Sequence, residues 1–186
     1  MERVKLGDKH FVLYLPAARI DSLIDGMAER INRDYAHSQS LMLVGILNGA
    51  YMFAADLARK ITVPCRITFM KVSSYEGLTS RGELTMQLPL CCSVEGCDVI
   101  LLDEIVETGL TMNRLFDYMV TMGARSVAAA TLLFKRGQYK GVAEIKYAAL
   151  AMDEPLFVVG YGLDYNEEGR TLKDIYILDE DGDTNV

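Results

Sequence analysis

The chain has 186 residues, enough for a single domain with a sizeable core. Hydrophobic residues make up 51% and charged residues 24%, a globular composition that excludes a disordered or fibrous chain. The net charge of −7 and pI near 4.9 argue against a surface for nucleic acid or acidic membrane.

The start, Met1-Glu2-Arg3-Val4-Lys5-Leu6, lacks the apolar centre of a secretory signal, and no apolar run reaches the ~18 residues that span a bilayer. A cytoplasmic location is therefore expected, with no membrane partner. His10 to Leu15 reads as a short strand in which His10 is structural. From Ala17 to about Asn32, the residues Ile20, Leu23, Ile24, Met27 and Ile31 fall on one helical face, a packing stripe without chemistry. Leu41 to Leu47 is a buried strand ending in Asn48-Gly49-Ala50, by default a turn. A helix starts near Tyr51, with Phe53 and Leu57 facing inward.

Arg66 to Val72 alternates as a strand, and Ser73 to Glu83 is a polar, Gly-bearing loop. Such a loop serves either as an active-site cover or as a plain solvated connection. Leu84 to Leu90 is the returning strand. The cysteines Cys65, Cys91, Cys92 and Cys97 lack the Cys-x-x-Cys spacing of a zinc site and read as buried, reduced thiols.

The run Val99-Ile100-Leu101-Leu102 is a strand apolar on both faces, the mark of a parallel sheet. It leads into Asp103-Glu104-Ile105-Val106-Glu107-Thr108-Gly109-Leu110-Thr111, and a helix with Leu115, Phe116 and Met119 inward runs from Met112 to about Thr121. In open α/β sheets, ligands bind at the carboxyl ends of strands. Amides entering the helix attract an anion, Gly109 permits a tight turn, and the Thr108 and Thr111 hydroxyls can donate to phosphate. Asp103 and Glu104 instead suit hydroxyl groups or a divalent cation. A phosphorylated sugar satisfies both halves; a capped surface turn is the simpler alternative. The Gly-Lys-Ser/Thr ending of a nucleotide triphosphatase loop is absent.

Gly123 is placed to close that helix. Ser126 to Phe134 is the next buried strand, ending at Lys135-Arg136. Gly141 to Lys146 is loop and Tyr147 to Met152 another strand. The acidic end, Asp179 to Asp183, lacks the spacing of a calcium loop and reads as a solvated tail.

With its apolar strand, two acids, two apolar residues, acid and Thr-Gly-x-Thr, the loop resembles the phosphoribosyl-pyrophosphate (PRPP) loop of type I phosphoribosyltransferases. The stretch Phe157-Val158-Val159-Gly160-Tyr161-Gly162-Leu163-Asp164-Tyr165-Asn166-Glu167, followed by Arg170, is similar nearly letter for letter to the hypoxanthine-guanine phosphoribosyltransferases. The likeness runs from about Val44 to about Leu178. It implies an α/β fold: an open, mostly parallel twisted sheet flanked by helices, with a small hood formed from the N- and C-terminal segments. Residues 1–186 would form one domain, with the core at about 40–150 and the hood from about 1–15 and 150–186.

The resemblance also implies roles. Asp103 and Glu104 would hold the ribose hydroxyls, and Glu107, Thr108, Gly109, Leu110 and Thr111 would cradle the 5′-phosphate of PRPP. Pyrophosphate would lie on Asn48 and Gly49, in a short loop that often holds a cis peptide, and on Arg170. Ser74 and Tyr75 would open the loop that closes over the site. For the purine, Lys135 would donate to the 6-oxo group, Phe157 would stack, and the Val158 backbone would bond the ring edge. Asp164 would ligate Mg²⁺ on the pyrophosphate, with Asp103 and Glu104 as further candidate ligands. All these groups are expected along one edge of the sheet. Read singly, Lys135 and Arg170 would be surface residues and Phe157 a strand core residue.

The expected reaction joins hypoxanthine or guanine through N9 to PRPP, giving IMP or GMP and pyrophosphate in purine salvage, with Glu107 accepting a proton near N7. A homo-oligomer, dimer or tetramer, is expected. The chain departs from the family pattern in three places. Asn48 stands where Lys is common, Glu107 where Asp is usual, and Asp103-Glu104 where Glu-Asp is usual. Two alternatives remain at this point: an enzyme preferring xanthine, and a non-catalytic nucleotide-binding regulator on the same fold.

Overall fold

A computed structural model describes residues 2–74 and 84–179. In chain order the elements are β1 (Arg3–Leu6), β2 (Lys9–Leu15), α1 (Ala17–Asp34), β3 (Leu41–Leu47), α2 (Tyr51–Lys60), β4 (Cys65–Ser74), β5 (Leu84–Leu88), β6 (Asp98–Val106), α3 (Leu110–Thr121), β7 (Ser126–Lys135), β8 (Tyr147–Met152), β9 (Val158–Val159) and β10 (Ile175–Leu178). Tyr75 with the rest of the expected covering loop, and the acidic tail beyond Asp179, lie outside the described residues.

The larger sheet has the order β5-β4-β3-β6-β7-β8, and every pairing in it is parallel except that of β5 with β4. The middle stretches of its central strands are apolar because both faces are covered there. One face packs Leu41, Leu43, Ile100, Leu102 and Ala130 against α1 and α2. The other packs Met42, Val44, Val99, Leu101 and Ala129 against Met112, Leu115 and Met119 of α3. The predicted stripe of α1 is the buried one, with Ile20, Ile24, Met27, Ala28 and Ile31 inward. Helix α3 ends as foreseen at Gly123, whose N–H reaches Val120 O at 3.0 Å while Ala124 N–H reaches Met119 O at 3.1 Å. These two bonds close the last carbonyls of the helix.

A second, antiparallel sheet of order β1-β2-β10-β9 unites the two ends of the chain. Phe11, Val159 and Tyr176 form its own core, while Leu15, Val158 and Ile175 join the core beneath α1 and α2.

Three expectations are corrected. Strand β6 does not stop at Leu102; it runs to Val106, so Asp103 and Glu104 are strand residues. The cause is β7, which continues to Lys135 and pairs Asp103 with Thr131, Ile105 with Leu133 and Val106 with Phe134. An available backbone partner extends a strand past the end of its apolar run. Helix α3 accordingly begins at Leu110 rather than Met112. Finally, the thiols are not uniformly buried: Cys65 and Cys91 are exposed, Cys92 is half-buried and only Cys97 is buried. All four are free. Among the described residues, no helix is long and apolar enough to cross a membrane.

The amino-terminal edge of the sheet is tied by Asp98. Its Oδ1 accepts from Arg125 Nε at 2.9 Å and Ser126 Oγ at 2.7 Å, and its Oδ2 from Ser38 Oγ at 2.6 Å and Arg125 Nη2. The Arg125 guanidinium holds this carboxyl far below the usual carboxylate range. A depressed native value contributes stability above the unfolded-state value near 4, lost as pH falls. Asp98→Ala should therefore lower unfolding free energy by about 2–3 kcal/mol at neutral pH. In urea titrations the deficit should shrink as the pH is lowered through the carboxylate range; a deficit independent of pH would contradict this account.

Candidate active site

Parallel register brings the carboxyl ends of β3, β6 and β7 out at one edge of the sheet. β3 ends in a cis peptide between Leu47 and Asn48. Gly49 then passes so close to Glu104 that a Cβ there would overlap the Glu104 carboxylate. Only glycine fits this approach, and it brings the Asn48–Gly49 turn against the end of β6.

Asp103 and Glu104 are both harder to ionise than ordinary carboxyls. Burial pushes Asp103 well up, and the neighbouring Glu104 adds to it. Burial also raises Glu104, against the hydrogen bond with Asp103 and the charge of Arg170. Glu104 Oε2 is buried and has no hydrogen-bond partner. Asp164 pushes Glu104 further up, so Asp164 and Arg170 both stand within electrostatic reach of it.

The turn that carries Asp164 arrives differently from the expectation. It does not end a strand of the parallel sheet but follows β9 of the antiparallel one. Arg170 Nη2 lies 2.7 Å from Asp164 Oδ1, and its Nη1 donates to Gly162 O at 2.9 Å. The guanidinium fork is thus engaged inside its own turn, while its Nε is buried without a partner.

Along the same edge, a cavity of about 310 Å³ is lined by Asp103, Glu107, Thr108, Gly109 and Thr111, among others. Gly109, at φ 76, is the N-cap of α3 and has no side chain between the helix amides and this space. Leu110 is half exposed and is not part of the lining. Lys135, at the end of β7, is only 6% exposed, which excludes the surface-lysine reading. Its Nζ is ion-paired with Glu107 Oε1. The Thr108–Thr111 bend and Glu107 therefore share one hollow, and Lys135 is tied to it through its ion pair with Glu107.

Phe157 is not a core residue; it is 47% exposed at the entry to β9. Its ring centroid lies 6.3 Å from that of Phe11 and 6.1 Å from that of Tyr165, edge-on. With Val12, Leu156 and Ile177 it lines a second cavity of about 500 Å³ that shares no residue with the first. Val158 is buried within β9, opposite Ile177. Ser74 ends β4, paired with Leu84.

Several participants were not foreseen. The Tyr139 ring covers Gly109, packs edge-on against Phe134 at 5.1 Å, and sends its hydroxyl to Ala143 O. Lys140 N–H closes on Thr108 O at 3.0 Å. Nothing in the local pattern around residue 139 signals this cover, because it depends on the path of the chain after β7. Tyr161 and Gly162 sit inside a quoted motif, and the Gly-Tyr-Gly spelling was the available signal.

The donor set suits a hard cation. Among the described residues, no three His, Cys, Asp or Glu side chains gather as a metal cage. A magnesium ion does not need one, since it binds through one or two carboxylates, substrate phosphates and water. The buried, unpaired Glu104 Oε2 beside Asp103 fits such a partner.

Comparison with known proteins bears on this arrangement. Residues 14–166 match the phosphoribosyl transferase domain model. The hypoxanthine-guanine phosphoribosyltransferase of Aquifex aeolicus is 32% identical over 95% of this chain and 99% of its own. That of Mycobacterium bovis is 38% identical over 93% of this chain and 88% of its own. A Trypanosoma cruzi hypoxanthine phosphoribosyltransferase variant, solved as a ternary complex with substrates, superposes with a TM-score of 0.84 at 36% identity, covering 91% of this chain and 95% of the other.

Because both carboxyls at the end of β6 ionise less readily in the fold than in the unfolded chain, stability falls as pH rises through the carboxylate range. Glu104→Gln should thus stabilise the ligand-free protein by about 1 kcal/mol near pH 8, a rise of roughly 2–4 °C in Tm, with the gain vanishing near pH 4. Calorimetry across that range checks it; a variant no more stable than the parent near pH 8 would mean that Glu104 is already compensated.

Proposed function

Since the chain belongs to the phosphoribosyl transferase family, and within it to the hypoxanthine-guanine phosphoribosyltransferases, we propose that it transfers the phosphoribosyl group of PRPP to N9 of hypoxanthine or guanine. IMP or GMP and pyrophosphate are the products, and purine salvage is the setting. The observation that carries the residue assignment is the Lys135–Glu107 ion pair beside the helix-capped hollow.

The division of labour follows from the geometry. The amides at the start of α3, with Thr108 and Thr111, hold the 5′-phosphate, where the helix dipole favours an anion. Asp103 accepts from a ribose hydroxyl. Asn48, Gly49 and Arg170 meet the pyrophosphate; with Asn48 in place of a lysine, the turn relies on its backbone amides. Asp164 and Glu104 would hold Mg²⁺, with Asp103 alongside. When bound, the cation neutralises the charge that develops on departing pyrophosphate.

At the ribose, the C1–oxygen bond to pyrophosphate breaks and its electron pair leaves with the pyrophosphate. The purine N9 forms the new bond to C1, and the proton displaced from the imidazole ring passes to the Glu107 carboxylate. The longer glutamate side chain reaches Lys135, so each group positions the other before a base arrives. Lys135 then donates to the 6-oxo oxygen, while Phe157 offers an exposed ring face and Val158 a backbone contact. Adenine would present an amino group to the same donor, leaving a buried polar group unpaired at about 1–3 kcal/mol. The reaction is assigned to the cytoplasm, where four free thiols persist, and the protein to a homo-oligomer.

Incubation with PRPP and magnesium should convert hypoxanthine and guanine and spare adenine; turnover of xanthine alone would move the specificity, and no turnover of any oxopurine would refute the reaction. Lys135→Ala should reduce kcat/KM for hypoxanthine by about 10–100-fold with little change in PRPP affinity, and equal losses in both would remove Lys135 from the base site. Glu107→Gln should lower kcat by about 10²–10⁴-fold while GMP still binds; if calorimetry shows GMP binding lost as well, Glu107 is structural.

A further inference from the structure

Helix α2 does more than cover the sheet. Its first turn grows directly out of the Asn48–Gly49 turn, and two of its side chains reach across to the turn that carries Asp164 and Arg170. Tyr51 Oη donates to Arg170 O at 3.1 Å. Asp56 Oδ2 accepts the Tyr161 hydroxyl, and its Oδ1 is paired with Arg59 one turn along the helix. The turn is therefore fastened at both ends to one helix.

Its own backbone is unusual. Gly160, Tyr161 and Gly162 adopt positive φ in succession, at 94°, 50° and 98°. For tyrosine this conformation is unfavourable by about 1–3 kcal/mol unless the surroundings enforce it. The surroundings do enforce it: Tyr161 is 4% exposed, its N–H bonds Leu172 O at 2.8 Å, and Gly162 N–H bonds Arg170 O at 2.9 Å. A Cβ on Gly162 would overlap the carbonyl oxygen of Gly49, so the two turns touch backbone to backbone.

We propose that Tyr161 and Asp56 are positioning residues for the pyrophosphate end of the site. Their bond locks the Gly-Tyr-Gly turn onto α2, and through it sets Asp164 and Arg170 against Gly49 and Glu104. Neither residue faces the hollow at Lys135 and Glu107, so the effect is confined to one substrate. The inference rests on the function proposed above for the assignment of pyrophosphate to this turn. Burial, and after it the hydrogen bond to Asp56, leave Tyr161 much harder to ionise than a free phenol, in keeping with a hydroxyl used only as a donor.

Tyr161→Phe removes the hydroxyl and keeps the buried ring. It should raise KM for PRPP, and for pyrophosphate in the reverse reaction, by roughly 5–50-fold, since small misplacements are costly in rate and binding. KM for hypoxanthine should stay within about twofold of the parent. Asp56→Ala should reproduce this pattern, Asp56→Asn should rescue it by keeping an acceptor, and the Tyr161→Phe/Asp56→Ala pair should be no worse than either change alone. Equal rises in KM for both substrates, or additive losses in the double variant, would overturn the proposal. Calorimetric titration of each folded variant with magnesium pyrophosphate separates this idea from the function: a parent protein that binds pyrophosphate but turns over no purine refutes the reaction, and the variants' affinities still decide the clamp.

Discussion

The arrangement depends on two carboxyl groups held side by side where β6 leaves the sheet. Burial makes both Asp103 and Glu104 reluctant to ionise, Glu104 adds to that effect on Asp103, and one Glu104 oxygen is left without a partner. A core would normally exclude such a pair, because an unpaired buried charge opposes folding. In the function proposed above, a sugar hydroxyl and a cation would supply the missing partners. Gly49 leaves room for the Glu104 carboxylate by having no side chain.

The same strand illustrates the opposite solution at its other end. Asp98 begins β6 with each of its oxygens hydrogen-bonded, by Arg125, Ser38 and Ser126. That carboxyl ionises more readily than usual and joins β3, β6 and β7 at their amino-terminal edge. One strand thus carries a satisfied acid where the sheet is tied together and, at its other end, two acids that resist ionisation, one of them with an unpaired oxygen.

The antiparallel sheet contributes the second half of the site. Asp164 and Arg170 come from a turn after β9, far in sequence from the parallel strands, and stand near Glu104 because that turn packs on Gly49 and is held by α2. Across the hollow, Lys135 and Glu107 come from β7 and from the loop before α3. This edge is therefore a seam between two sheets, and groups on both sides of it already hold one another.

Much of this was legible in the residues themselves. The apolar run Val99 to Leu102, the acids after it and the Thr-Gly-x-Thr turn pointed to a parallel strand, a Gly turn into a helix and the family, because a short-range pattern determines a strand, a helix start and the amides between them. The quoted motif from Phe157 to Glu167, with Arg170, marked the turn that packs on Gly49. What the chain could not disclose locally was the extent of β6, which its neighbour β7 sets by offering backbone partners. Nor could it disclose the cover of Tyr139 over Gly109, the bond between Tyr161 and Asp56, or the pairing of Lys135 with Glu107. Each joins residues brought together by the packing of sheets and helices, and hydrogen bonds and ion pairs form wherever that packing places donor against acceptor.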